Sequence, residues 1–431
     1  MDMNSHTVRV GLLGCGHVGS ALVRLITDHG DDIASRTGVR LVVTRVAVRN
    51  LARERDVDLS PDIFTHDGQA VVTAEDVDVV VEVIGGIEPA REHIIEALKA
   101  GKPVVTANKE LLANVGRELF EAAEGAGVDL LFEASVAGGI PLIRPLRESL
   151  AGDRIRRVMG IVNGTTNFIL SRMAQSGASF SDALAEAQTL GFAERDPTAD
   201  VEGFDAAAKA AIIASIAFGA RVVAGDVYRE GISELTDGEI RSAAELGFAV
   251  KLLAVAEETS DGIAVRVHPT MIPLSHPLAN VHDSFNALFI EADAVGQLMF
   301  YGRGAGGDPT ASAVLGDVID AAKNVVSGAR GATIGTLVRK PIRPIDEVES
   351  QFYLQLEVAD EPGVLAEIAQ RFGARGVSIK SMQQEGIGGE ARLIFITHAA
   401  READLRATIH DLREVAAVHR VGSILRVMGD A

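Results

Sequence analysis

Residues 8–19 read VRVGLLGCGHVG, and this stretch decides the fold. Residues 8–13 form a short apolar run of strand length. GCGHVG follows at once, and an amphipathic segment then runs to about Asp28. Strand, tight turn and helix in that order open a βαβ unit. Gly14, Gly16 and Gly19 have the GxGxxG spacing. The first two glycines of such a turn let the backbone approach a pyrophosphate, and the helix that follows offers N–H groups and a positive dipole end. Glycines alone are weak evidence. Between a strand and a helix they point to dinucleotide binding along Gly14, Cys15, Gly16, His17, Val18 and Gly19, with Cys15 serving as a small turn residue.

The same alternation continues outward. Residues 39–48, 77–84, 104–105 and 128–133 read as strands, and 89–100 and 108–126 as helices. Strands alternating with helices predict a parallel, doubly wound α/β sheet of Rossmann type. From Ala134 the pattern changes. Residues 155–162, 263–272, 287–290 and 296–300 read as strands and 168–175 as a helix, which predicts an α+β domain with a mixed or antiparallel sheet. Residues 308–326 read as a helix that rejoins the first domain. Residues 328–349 hold three glycines and two prolines and read as a linker. The remainder reads β-α-β-β-α-β, a small ferredoxin-like domain. The expected division is 1–134 (rejoined by 308–330), 135–307, the linker 328–349 and 350–431.

Composition narrows the function classes. A chain of 431 residues is too long for one core. It has no apolar run of membrane-spanning length, and its opening residues, MDMNSHTVRV, read as entry to a strand rather than a signal peptide. A single cysteine suits a reducing cytoplasm. A formal net charge of -19, no Trp and 4% aromatic residues argue against nucleic acid as a partner.

Cofactor choice turns on the end of the second strand. An NAD site usually carries Asp or Glu about 20 residues beyond the glycines, holding the ribose 2′-OH. Here the strand ends in Val48-Arg49-Asn50, followed by Arg53 and Arg55. Arginine there favours a 2′-phosphate, hence NADP, with Arg49 as its contact and NAD still possible; a solvated basic turn is the plain alternative. Lys109 follows the strand 104–105, where the carboxyl ends of parallel strands line the ligand crevice. It can meet nicotinamide or substrate there, or water. Glu133 opens a Gly-rich bridge, EASVAGGIP, that reads as a hinge or as oxygen ligands for a hard cation.

Residues 191–219, GFAERDPTADVEGFDAAAKAAIIASIAFG, concentrate the charge chemistry. An Ala/Ile-rich helix carries Asp205 and Lys209 four apart, on one face. Upstream lie Glu194, Asp196, Asp200 and Glu202. The plain reading is a surface ion pair. The sharper one is a closed site for a substrate with an amine and a carbonyl or hydroxyl.

Together GCGHVG, TANKELLA, EASVAGGIPLI, NGTTNFIL and GFAERDPTADVEGFDAAAKAAI, in this order, resemble homoserine dehydrogenase. ADEPGVLAEIAQRF, residues 359–372, resembles the start of an ACT domain, as in the longer monofunctional bacterial members. The resemblance implies NAD(P)H-dependent, reversible reduction of L-aspartate 4-semialdehyde to L-homoserine, in threonine, methionine and isoleucine biosynthesis. It implies Lys209 as proton donor with Lys109 as its partner, Glu194 and Asp205 as substrate-binding acids, and Asp200 in support. Gly191 and Gly306 would approach the cofactor. Glu133 with the carbonyls of Val136, Gly138 and Ile140 would hold a monovalent cation, sodium. An L-threonine effector at the ACT domain and a homodimer or homotetramer are also implied. Another amino-acid or semialdehyde dehydrogenase, or a non-enzymatic amino-acid sensor, are the competing readings.

Overall fold

The computed structural model describes residues 5–387 and 389–429. The chain forms two compact units: Met1–Val162 with Ala208–Val227 and Phe285–Lys340, and Asn163–Ala207 with Tyr228–Ser284 and Pro341–Ala431.

The first unit holds a six-stranded, all-parallel sheet. Its order is Phe64–Thr65, Val39–Ala47, His6–Leu13, Val79–Glu82, Val104–Thr106, Leu130–Leu131. Strand order therefore reverses on either side of His6–Leu13, which places a ligand crevice at the carboxyl end of that strand. Val8, Val10 and Leu12 on one face and Gly11 and Leu13 on the other are buried, as a strand covered on both faces requires. The helix His17–Asp28 lays Ala21, Leu22 and Ile26 into the same core as Ala311, Val314 and Val318 of the helix Gly307–Ser327. The late helix thus belongs to the parallel-sheet core. The unit also contains three antiparallel strands, Gly296–Arg303, Phe285–Ala292 and Ile155–Ile161.

In the second unit Phe248–Thr259 and Gly262–Pro273 form a full-length antiparallel hairpin. Gly262–Pro273 also pairs in parallel with Val418–Val427 through Thr270 and Met271. Val418–Val427, Glu349–Ala359, Glu390–Thr397 and Ile379–Ile387 then follow in sheet order, all antiparallel. With the helices Val364–Ala374 and Glu402–Arg413 this is the expected β-α-β-β-α-β arrangement, closed over Phe352, Leu354, Ile368, Phe372 and Phe395. The segment 328–349 is held by backbone pairing: Val338 bridges Ala220 in the first unit and Ile342 bridges Ile263 in the second. Among the described residues no helix is long and apolar enough to cross a membrane.

Candidate active site

The glycine turn follows the carboxyl end of His6–Leu13. Gly14 has φ +100°, and a Cβ there would meet the Val83 carbonyl at 2.9 Å. A Cβ on Gly19 would sit 2.2 Å from the Gly14 carbonyl oxygen. Both glycines are thus required by the protein's own packing. Gly16 differs: a Cβ there meets nothing within 4 Å, and its φ is -91°. Nothing in the fold demands glycine at this point, but a phosphate approaching the backbone does. Gly16 is also the N-cap of His17–Asp28 and supplies no side-chain cap, so the first helical N–H groups remain available for an anion. Cys15 is buried beside Ser20, with Sγ 3.4 Å from Oγ. Val18 is half-buried and His17 exposed at the helix start.

A cavity of about 430 Å³ opens from this turn, lined by Gly14, Gly16, Arg49, Asn50, Arg53 and His66 among others. Arg55 is spent on the loop itself. It donates to the carbonyls of Asn50 and Arg53 at 2.6 and 2.7 Å and lies over the Phe64 ring. Arg49 is exposed and makes no ion pair with any described residue. Gly306, φ +124°, caps the helix Gly307–Ser327, and a Cβ on Gly307 would lie 3.2 Å from the His17 carbonyl. The two helix starts are therefore neighbours, which brings Gly306 to the glycine turn.

Glu82 shapes this end of the sheet and was not singled out from the sequence. It ends the strand Val79–Glu82 with no exposure. Its carboxylate accepts the N–H groups of Ile84 and Gly85 at 2.8 and 3.2 Å and the Thr106 hydroxyl at 2.6 Å. Asn108 donates to the Gly86 carbonyl and caps the helix Lys109–Ala126 by accepting the Leu111 N–H. Lys109, exposed, is the first residue of that helix. Two loops at the carboxyl ends of adjacent strands are thus locked together through Glu82, Thr106 and Asn108. An acid ending an apolar strand was the available signal.

The second cluster is organised by Asn163, which the motif reading quoted without assigning it a role. Its Nδ2 donates to Asp200 Oδ1 at 2.7 Å and to Asp205 Oδ2 at 2.8 Å. Its Oδ1 caps the helix Gly164–Ser176 through the Thr166 N–H. One side-chain amide therefore holds two carboxylates side by side. Lys209, one turn beyond Asp205, is buried and donates through Nζ to the Val162 carbonyl at 2.7 Å. Asp205 and Lys209 are 7% and 8% exposed, which excludes an ordinary surface pair. Glu194 is exposed, and its carbonyl receives the Gln188 side chain. Gly191 is exposed in the turn after the helix Phe180–Thr189, with φ +78°.

Glu133 is buried, and both carboxylate oxygens are engaged. Oε1 accepts the N–H groups of Leu142 and Ile143 at 2.5 and 2.7 Å, and Oε2 accepts that of Arg144 at 2.8 Å. Its own N–H donates to Asp317, whose carboxyl burial pushes up to about 7. The loop beyond it is buried at Val136, Gly138 and Ile140. The carbonyls of these three accept no hydrogen bond from the described residues. Buried carbonyls normally find a partner, and a hard cation would supply one. The Glu133 carboxylate itself is spent on the N–H groups of the loop. Among the described residues no group of three or more His, Cys, Asp or Glu side chains is placed to hold a metal.

A parallel sheet with a bare glycine turn at its switch point, in a chain that also buries a lysine one turn from paired carboxylates, defines a nicotinamide-dependent oxidoreductase. Comparison with known proteins narrows the class. Residues 14–133 match the profile of the homoserine dehydrogenase NAD binding domain, 141–319 that of homoserine dehydrogenase and 352–417 that of the ACT domain. The chain belongs to the homoserine dehydrogenase family, NAD(P)-dependent oxidoreductases that act on a CH–OH group. It is 52% identical to homoserine dehydrogenase of Corynebacterium glutamicum over 98% of this chain and 96% of that one. It is 51% identical to that of Mycobacterium tuberculosis over 100% and 99%. The crystal structure of a homoserine dehydrogenase from Thiobacillus denitrificans superposes with a TM-score of 0.91 at 41% identity, covering 98% of both chains. A hyperthermophilic archaeal homoserine dehydrogenase in complex with NADPH superposes with a TM-score of 0.64 at 29% identity, over 76% of this chain and 99% of that one.

Proposed function

We propose that this chain catalyses the reversible, NADPH-dependent reduction of L-aspartate 4-semialdehyde to L-homoserine, and that Lys209 is its proton donor. The observation that carries the site is Asn163, which holds Asp200 and Asp205 together one turn before a buried lysine. The bound nicotinamide supplies the hydride. Lys209 Nζ, steered by the Val162 carbonyl, stabilises the substrate oxygen as it becomes negative and delivers the proton to it. Lys109 assists at the same oxygen and beside the nicotinamide. Asp205 and Glu194 bind the substrate's hydroxyl and amine, and Asp200 supports Asp205 through Asn163. Burial of the pair raises the strength of each charge by excluding water.

Cofactor contacts are assigned to the turn Gly14–Gly19, with Gly191 and Gly306 in support. Arg49, exposed and unpaired among the described residues, is the contact for the 2′-phosphate, which favours NADP over NAD. Sodium is assigned to Glu133 with the carbonyls of Val136, Gly138 and Ile140. We assign residues 1–134 with 308–330 to cofactor binding, 135–307 to the substrate, and 350–431 to regulation. L-Threonine is the proposed effector of the ACT domain, in a cytoplasmic homodimer or homotetramer. Steady-state oxidation of L-homoserine, compared with other amino alcohols and with each nicotinamide cofactor, tests the reading. Preference for L-homoserine with NADP⁺ supports it. Faster turnover of a different amino alcohol would assign the site to another dehydrogenase.

A further inference from the structure

Arg426 lies near the end of Val418–Val427, in the C-terminal β-α-β-β-α-β segment, with 5% of its side chain exposed. Its guanidinium forks twice. Nη1 and Nη2 donate to Glu230 Oε2 and Oε1 at 2.8 and 2.9 Å, and Nε and Nη2 to Glu402 Oε2 and Oε1 at 3.1 and 2.8 Å. Double bidentate geometry fixes the planes of all three groups. Glu402 belongs to the same C-terminal segment, whereas Glu230 comes from nearly two hundred residues upstream.

Glu230 is in turn rigidly joined to the proposed substrate carboxylates. Its N–H donates to the Val267 carbonyl at 2.8 Å. Two residues on, the buried Ile232 donates to the Val201 carbonyl, also at 2.8 Å. Between them Gly231 packs so closely on this strand of chain that a Cβ would lie 2.5 Å from the Val201 oxygen and 2.8 Å from the Glu202 Cα. The Ser233 hydroxyl donates to Glu202 at 2.5 Å. Val201 directly follows Asp200, the residue that Asn163 ties to Asp205. An unbroken series of short contacts therefore runs from Arg426 through Glu230 and the strap 230–232 to Asp200, all within one compact unit.

We propose that Arg426 is a positioning residue for substrate binding, setting the place of Asp200 and Asp205 through Glu230 and the strap 230–232. This rests on the assignment of Asp200 and Asp205 to the substrate. It makes the C-terminal segment part of the binding geometry. Displacement of Val418–Val427 is transmitted through the strap 230–232 to the substrate carboxylates. A role limited to holding the fold would change stability and leave substrate affinity alone.

The test compares Arg426→Met, Arg426→Lys and Gly231→Ala in the full-length protein. The readouts are KM and kcat for L-homoserine, the Kd of NADPH by fluorescence, and the thermal midpoint. Arg426→Met and Gly231→Ala are each expected to raise the KM for L-homoserine about three- to thirtyfold, the range of measured coupling through such networks. kcat and the NADPH Kd should change little. Arg426→Lys keeps the charge but cannot fork twice, so its KM should fall between wild type and Arg426→Met. Combining Arg426→Met with Gly231→Ala should raise KM by less than the product of the two, because both act on one strap. A lowered thermal midpoint with unchanged KM in both single variants overturns the proposal, as does a fully multiplicative double variant. If Arg426→Met fails to fold, Gly231→Ala decides alone by the same KM criterion. Asp200→Ala separates the two levels of inference. If it leaves KM unmoved, the substrate assignment is wrong; if it raises KM while the strap variants do not, only the strap is wrong.

Discussion

Gly16 and Gly19 share one motif and are glycine for different reasons. At Gly19 the fold forbids a side chain, since its Cβ would strike the Gly14 carbonyl at 2.2 Å. At Gly16 the chain leaves open space. Gly19→Ala should therefore lower the thermal midpoint of the protein alone, while Gly16→Ala should keep that midpoint and lose NADPH affinity. A calorimetric scan with and without NADPH checks both, and equal destabilisation of the free protein by both changes would contradict the distinction. Arg49→Ala should weaken NADP binding by roughly 1.5–3 kcal/mol more than NAD binding, because only NADP carries the 2′-phosphate. Titration with each cofactor measures the difference, and equal losses would give Arg49 to structural support. The glycine motif was legible because a tight strand-to-helix turn and a close backbone approach each demand glycine at a fixed local spacing. Glu82 was not, because its role depends on three partners from two loops that meet only in the folded sheet.

Single elements show where local preference yields to tertiary packing. Residues 248–259, FAVKLLAVAEET, are rich in Ala, Leu and Glu and were not read as a strand. They form one because each residue finds a partner in Gly262–Pro273 and seven in a row, 250–256, are buried. Inside that strand Lys251 is 3% exposed and donates to Asn167 Oδ1 at 3.1 Å and to the Val281 carbonyl at 2.5 Å. Burial pushes its ammonium down from 10.5 to about 8, against the pull of Asp283. Above pH 8 the folded chain has released this proton, while the unfolded chain keeps it to about 10.5. Stability from this group therefore rises between those two values and is lost as pH falls through 8. Urea midpoints of wild type and Lys251→Met should draw apart over that interval, wild type gaining; a constant difference would contradict the assignment. The helix Gly164–Ser176 was expected to begin at Phe168, since Gly-Thr-Thr-Asn is a poor helix former. Its cap by Asn163 carries the start four residues earlier. Asn163→Ala should cost about 1 kcal/mol through that cap. It should also raise the KM for L-homoserine by releasing Asp200 and Asp205, which separates it from a variant that only frays a helix.

At the scale of the whole molecule, the alternation of strands and helices that makes a parallel sheet and the β-α-β-β-α-β ending were both written in the hydrophobic pattern, whereas the order of strands within the parallel sheet was not. Nor was the pairing of Val418–Val427 with Gly262–Pro273, because Thr270–Arg426 and Met271–Val427 contacts span more than one hundred and fifty residues. This pairing bears on how an effector is sought. Cutting the chain near Ile345 would unpair a buried strand and strip Glu230 of Arg426, so L-threonine binding is better measured by calorimetry on the full-length protein. Binding with inhibition supports the regulatory assignment, and neither would leave the ACT domain as a purely structural module. The central claim concerns chemistry at Lys209, whose Nζ is buried and fixed on the Val162 carbonyl. Reduction of L-aspartate 4-semialdehyde by NADPH, followed for wild type and Lys209→Ala, tests it most directly. The expected result is a kcat lower by about 10²–10⁴-fold with an unchanged NADPH Kd. Near-normal turnover by Lys209→Ala would contradict it.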